Sequence, residues 1–172
     1  MDRGSYLEHE GRPAVRFERI YPHPITRVWD AVARPDGLAR WFPSTVDLEG
    51  RVGGTISFFD DPNTAPSTGT VLVFDPPEHL AFTWADNELH VDLEAIDDDH
   101  TRLILTDVLA ARDEAARNAA GWTVCLGELD KQLAGQRSEG PHSATAAAWQ
   151  PIYDDYVAAG MPSGADIPTG TT

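Results

Sequence analysis

Asp107 is the polar residue of this chain best placed to do chemistry. It continues the two-residue alternation of Leu103 and Leu105, so its carboxylate can project inward at the end of an apolar strand face. A carboxylate held there would have a raised pKa and could act as an acid or base, or anchor a ligand hydroxyl. A solvated strand end is the competing reading, because a slip of one residue reverses the parity. Cys125, the single cysteine, lies on an apolar helical stripe, where a small buried hydrophobe competes with a nucleophile. A thiol nucleophile needs a base within reach, and the neighbouring residues imply none. The six histidines, at 9, 23, 79, 90, 100 and 142, include no pair at the i, i+4 spacing of a helical metal site, so no metal is expected. Gly53-Gly54 has neither the spacing of a phosphate loop nor a following Lys-Ser/Thr, and reads as a tight strand start. No complete catalytic set stands in the sequence, and no cofactor is expected.

Binding is better represented than catalysis. Trp41 and Phe42, with Phe58 in a later strand, are large rings that suit either the mouth of an apolar cavity or a plug for the open end of a sheet. Leu80, Phe82 and Trp84 share one strand face and either pack the core or line a pocket. Trp122 and Cys125 belong to a helical stripe beginning just after Gly121. Glycine inside a helix costs about 1 kcal/mol relative to alanine. Gly121 therefore marks either a close approach by a strand or ligand, or the start of the helix.

The elements that would position these residues can be read from periodicity. Val15 to Tyr21 alternates as a strand, with Val15 and Phe17 opposite Arg16 and Glu18. Ile25, Val28, Trp29 and Val32 form an apolar stripe on a short helix after Pro24. A second short helix, capped by Asp36, carries Leu38, Trp41 and Phe42. From residue 44 the period becomes two, giving strands at 44–49, 54–60, 68–75, 79–85, 89–97 and 101–109, with turn chemistry such as Asp75-Pro76-Pro77 between them. In the strand 89–97, Val91, Leu93 and Ala95 face in and His90, Asp92 and Glu94 face out, the mark of an antiparallel meander with one wet face. A long helix follows from near Asp113 to Gly135, with Trp122, Cys125, Leu126, Leu129 and Leu133 as its stripe. Residues 136–172 read as a linker, an amphipathic segment carrying Trp149, Ile152, Tyr153, Tyr156 and Val157, and a disordered tail. Residues 1–13 read as an N-terminal arm, and 14–135 as one domain.

The 172 residues suffice for one domain with a real core. A net charge of −15, from 13 basic and 28 acidic residues, repels phosphate backbones and anionic headgroups, so neither nucleic acid nor membrane is expected as a partner. One cysteine permits no internal disulfide, which fits a cytoplasmic setting.

The order of one strand, two short helices, a six-strand meander and a long helix is that of the helix-grip fold. The stretch ITRVWDAVARPDGLARWFP (25–43) resembles the opening of the START-like, or SRPBCC, superfamily. Within it the match is similar to the C-terminal-domain-like family of the activator of heat-shock-protein-90 ATPase. GG (53–54), GTVLVFDPPEHLAFTW (69–84), TRLILT (101–106) and GWTVCLGELDKQL (121–133) carry the rest of the likeness. The resemblance implies an α+β fold in which a curved antiparallel sheet of about six to seven strands grips a long C-terminal helix, with a cavity between them. Trp41, Phe42, Phe58, Phe82, Trp84, Asp107, Gly121, Trp122 and Cys125 are then the expected ligand-binding residues. The leading expectation is non-catalytic binding of a small hydrophobic molecule. A polyketide cyclase- or lyase-like enzyme using Asp107 with Tyr21 or His79, and a chaperone adaptor, are the alternatives. A homodimer is a further possible assembly.

Overall fold

The computed structural model describes residues 3–168. Its elements run β1 (Ser5–His9), β2 (Arg12–Tyr21), α1 (Ile25–Ala33), α2 (Pro35–Leu38), β3 (Thr45–Leu48), β4 (Thr55–Phe59), β5 (Ser67–Asp75), β6 (His79–Trp84), β7 (Asn87–Asp97), β8 (His100–Val108), α3 (Ala115–Leu133) and α4 (Trp149–Ala158). The strands form one curved antiparallel sheet in the order β1-β2-β8-β7-β6-β5-β4-β3, an α+β helix-grip arrangement. The sheet has eight strands where six to seven were expected. The extra one is β1, inside the segment read as an arm: Ser5 to His9 pair with Arg16 to Arg12. Gly11, at φ 81°, supplies the left-handed turn between the two strands.

α1 and α2 carry the chain from β2, second from one edge of the sheet, to the opposite edge at β3. The stripe of α1 is buried at Val28, Trp29 and Val32. α2 ends at Leu38, so Trp41 and Phe42 lie in the turns after it and not on it. Pro35 opens that helix, with Arg34 at the cap position, and Asp36 lies in the first turn. Proline suits that place because its missing N–H would have had no helical partner. Gly37 is there because α2 presses on α1: a Cβ on it would meet the Asp30 carbonyl and lie 2.7 Å from Ala31 Cα.

The alternation in β7 is real at Val91 and Leu93, both buried, but Ala95 is exposed where the strand overruns the core. α3 lies across the concave face with Trp122, Cys125, Leu126, Leu129 and Leu133 buried. A single 3-10 turn, Arg112–Glu114, leads into it. Four alanines on the first two turns of α3 (115, 116, 119 and 120) are also buried, and their small side chains admit neighbours closely.

The segment after α3 folds back on the body. Ser138 donates to the Arg40 carbonyl (2.7 Å), His142 Nε2 meets the Pro43 carbonyl (2.8 Å), and Lys131 Nζ donates to the Thr145 carbonyl (3.0 Å). α4 then packs on α3 of its own chain. Tyr156 is its buried residue, exchanging a hydrogen bond with Thr123 and accepting one from the Gly4 amide. Val157, at the end of the stripe, stays exposed. Part of the expected disordered tail is ordered: Ala116 N donates to the Pro162 carbonyl and Arg117 to that of Asp166. Residues 169–172 lie outside the described residues. No described helix is long and apolar enough to cross a membrane.

Candidate functional site

Asn118, Gly121, Trp122 and Cys125 stand at i, i+3, i+4 and i+7 on α3 and so share one face of the helix. Opposite them lie the β6–β7 turn from Trp84 to Asn87, the loop after β4 around Asp61, and the fastened segment at Pro141 and His142. Trp149, at the start of α4, completes the wall. Together they bound an open cleft of about 630 Å³. A Cβ built on Gly121 has nothing within 4 Å. The glycine sits inside the helix, not at its start, and leaves open space on the cleft side.

Behind this wall the space between sheet and helix is filled with rings. Phe42 stands 5.1 Å from Trp84, 5.6 Å from Trp122 and 6.2 Å from Phe82, centroid to centroid. Phe58 stacks on Trp84 at 5.6 Å. Of the expected binding residues, Trp84, Gly121, Trp122 and Cys125 meet at the cleft, whereas Phe42, Phe58 and Phe82 form its packed backing. Trp41 is fully buried further away, donating from Nε1 to the Ala31 carbonyl (2.9 Å), and takes no part in the wall. The open space thus lies at the rim and not in the sheet–helix interior, because five aromatic side chains occupy the interior at close-packed separations.

Asp107 points inward and is 2% exposed. Trp122 Nε1 (2.9 Å) and Asn118 Nδ2 (3.0 Å) both donate to its Oδ2, and Asn87 Nδ2 approaches Oδ1 at 3.5 Å. Burial drives its pKa from 3.8 up to about 6, and the negative charge of Glu114 adds to the rise. The hydrogen bonds from Trp122, Asn118 and Asn87 oppose it. The carboxylate lies behind the cleft wall and holds three of the wall's side chains in place.

Asn87, Asn118 and Glu114 are among the polar wall residues that periodicity alone did not single out, as are Asp61, Asp86 and Arg117. Asn118 was within reach of such reasoning, since it precedes Gly121, Trp122 and Cys125 on the same helical face. Glu114 Oε1 lies 3.4 Å from Arg117, and its Oε2 is buried with no hydrogen-bond partner among the described residues. Burial pushes the Cys125 thiol well above its ordinary value, with the charges of Asp61 and Glu128 adding, so at neutral pH it is a packed thiol and a poor nucleophile. Tyr21, raised likewise by burial and by Asp130, donates its hydroxyl to Asp130 (2.7 Å), away from the cleft. His79 and His90 lie together on the sheet, 3.4 Å apart between ring nitrogens, also away from the cleft. Among the described residues no group of three His, Cys, Asp or Glu is arranged to hold a metal ion.

A family model described as Activator of Hsp90 ATPase homolog 1-like protein matches residues 22–134. Among solved structures, a protein from Bordetella parapertussis is 28% identical at a TM-score of 0.67, over 91% of this chain and 90% of that one. CalU16 from Micromonospora echinospora is 20% identical at 0.71, over 92% and 91%. DynU16, from the dynemicin biosynthetic locus, is 24% identical at 0.62, over 74% of this chain and 50% of that one. The likeness to the last two is one of fold. Among curated proteins none matches.

Proposed function

This chain belongs to the activator of Hsp90 ATPase homolog 1-like family, and we propose that it binds a small, mainly apolar molecule in the rim cleft without transforming it. One observation carries the reading. A tryptophan pair, Trp84 and Trp122, 5.7 Å apart between centroids, faces open space left by Gly121 in a cleft of about 630 Å³. That volume falls in the range of small-molecule sites, which combine apolar walls with a few fixed polar groups. Asn87, Asn118 and Glu114 are those polar groups here, and they would orient a ligand hydroxyl or amine. The setting of DynU16 in a biosynthetic locus fits a fold used around small molecules.

The chemistry favours holding over turnover. A general acid or base must come within hydrogen-bond reach of the reacting atom. Asp107 is covered by Trp122 and Asn118, and Tyr21 and His79 lie elsewhere, so none of the three groups expected to serve the cyclase-like alternative is presented to this cleft.

The test is uptake of an apolar fluorescent probe by the wild type and by Gly121→Leu. Leucine at 121 projects into the open space beside Trp122 and should reduce uptake while leaving the melting temperature unchanged or higher, since it gains nearly 1 kcal/mol of helix propensity. Overpacking a filled core would instead cost roughly 1–3 kcal/mol. A destabilised variant beside a wild type that takes up no probe would overturn the reading.

A further inference from the structure

The charges around the rim cleft do not balance. Its wall carries three carboxylates, Asp61, Asp86 and Glu114, against one guanidinium, Arg117. That guanidinium is already engaged: it lies 3.4 Å from Glu114 and donates to Asn118 Oδ1 (3.0 Å) and to the Asp166 carbonyl (2.9 Å). It offsets one carboxylate and leaves two.

Asp86 is exposed to solvent, so Asp61 is the least compensated of the three. The Asp61 side chain is only 7% exposed, and among the described residues no lysine or arginine lies within 4 Å of it. The Asn63 amide donates to Oδ1 (2.8 Å), whereas the Ser44 hydroxyl reaches Oδ2 only at 3.5 Å. His142 Nε2 stands 3.8 Å from Oδ1 but only 2.8 Å from the Pro43 carbonyl. A carboxylate withdrawn from water with so few partners gains from a cation brought beside it.

The two buried carboxylate charges act on the cleft face of α3 from its two ends. Asp61 adds to the rise of the Cys125 thiol, and Glu114 to the rise of Asp107 behind Trp122. The same wall holds Trp84 and Trp149, both half-buried. Among side-chain rings the indole face attracts cations best. Among the described residues no three ligands are arranged for a metal ion, so the cation that suits this wall is an organic one.

We propose that the ligand of the rim cleft is an organic cation: an apolar frame against the tryptophans, carrying one ammonium group beside Asp61. The inference rests on the cleft being the binding site and goes beyond it by fixing the sign of the ligand's charge. An anionic ligand would meet like charges at close range, and a neutral one would leave Asp61 uncompensated. The net charge of −15 favours the same sign from afar, but salt screens it beyond about 8 Å at physiological ionic strength, so the wall residues decide.

The experiment titrates naphthylmethylamine, naphthylmethanol and naphthoate, one frame in three charge states, into the full chain at constant ionic strength. Binding heat and displacement of an apolar fluorescent probe are the readouts. The amine should bind about tenfold or more tighter than the alcohol, and naphthoate weakest. Asp61→Asn should remove most of the amine's advantage and leave the alcohol's affinity unchanged, and Glu114→Gln should reduce that advantage. Asp98→Asn, the same loss of charge in an exposed turn, should leave the advantage intact and so separates the wall from the overall field. Should Asp61→Asn fail to fold, Glu114→Gln decides. Equal affinities for the three compounds, with the alcohol still displacing the probe, would overturn the cation and leave the cleft reading standing. An advantage that both Asp61→Asn and Glu114→Gln leave intact would likewise overturn it. No binding of any of the three would overturn it too, and the cleft reading falls with it only if the wild type also takes up no apolar probe.

Discussion

We predict that Asp107→Asn stabilises the protein in mild alkali and that its advantage shrinks as the solution is acidified. The Asp107 carboxyl titrates near 6 in the folded chain against 3.8 for an ordinary aspartate. Because the folded-state value is the higher one, the folded chain holds the proton more tightly. The resulting stabilisation is complete below 3.8 and is lost as pH rises through about 6. At 1.36 kcal/mol per pKa unit the whole swing is about 3 kcal/mol, of which roughly 1.4 kcal/mol appears between pH 8 and pH 5. For a chain of this length that is about 3–6 °C in melting temperature. Asparagine cannot ionise, so it escapes the cost of a buried charge. Its single oxygen can still accept from Trp122 and Asn118, and its amide would face the weak 3.5 Å contact from Asn87. The assay is a pair of melting curves at half-unit steps from about pH 8 to pH 5. Groups common to both proteins cancel in the difference. Parallel curves, or a variant less stable by the same amount at every pH, would refute the claim that burial of this charge dominates its hydrogen bonds.

Gly37→Ala should destabilise by about 1–3 kcal/mol, since its Cβ would run into the backbone of α1 at Ala31; an unchanged urea midpoint would contradict the close approach. Tyr156→Phe removes the hydroxyl shared by Thr123 and the Gly4 amide and should cost about 1–3 kcal/mol, read from chemical denaturation. Truncation after Gly140 removes α4 and one side of the cleft, so both melting temperature and probe uptake should fall; full retention of both would show the segment to be idle.

The parts of this fold governed by short-range periodicity were legible. One face of α1, the stripe of α3 and the alternation through Val91 and Leu93 are buried as their spacing predicts, because a helix or strand can hide only one side. The inward turn of Asp107 follows from the same parity. What spacing could not decide was depth. Phe42, Phe58 and Phe82 have the composition of pocket residues, but whether such rings border a space or fill it depends on how α2 and β4 sit over the helix, a tertiary quantity. The wall built by residues 138–149 was equally hidden. A run of Ser, Pro, Thr and Ala looks like a linker, and it is held by side chains such as Ser138 and Lys131 reaching partners distant in sequence. β1 escaped notice because a half-exposed edge strand has a weak apolar pattern.

The β2–β8 seam has a consequence for how fast the molecule can assemble. The strands β3 to β8 are joined to their neighbours by short turns, so each hairpin closes locally. Ala14, by contrast, faces Val108, and bringing them together closes a loop of roughly ninety residues. By chain-closure entropy this costs about 3 kcal/mol more than closing a four-residue hairpin. The meander and α3 can therefore form before β2 is zipped in, and β1, held to β2 by a tight hairpin, joins the sheet with it. The topology makes closure of the seam the slow step, and substitutions at Phe17 or Leu105, which face each other across it, should appear mainly in the folding rate.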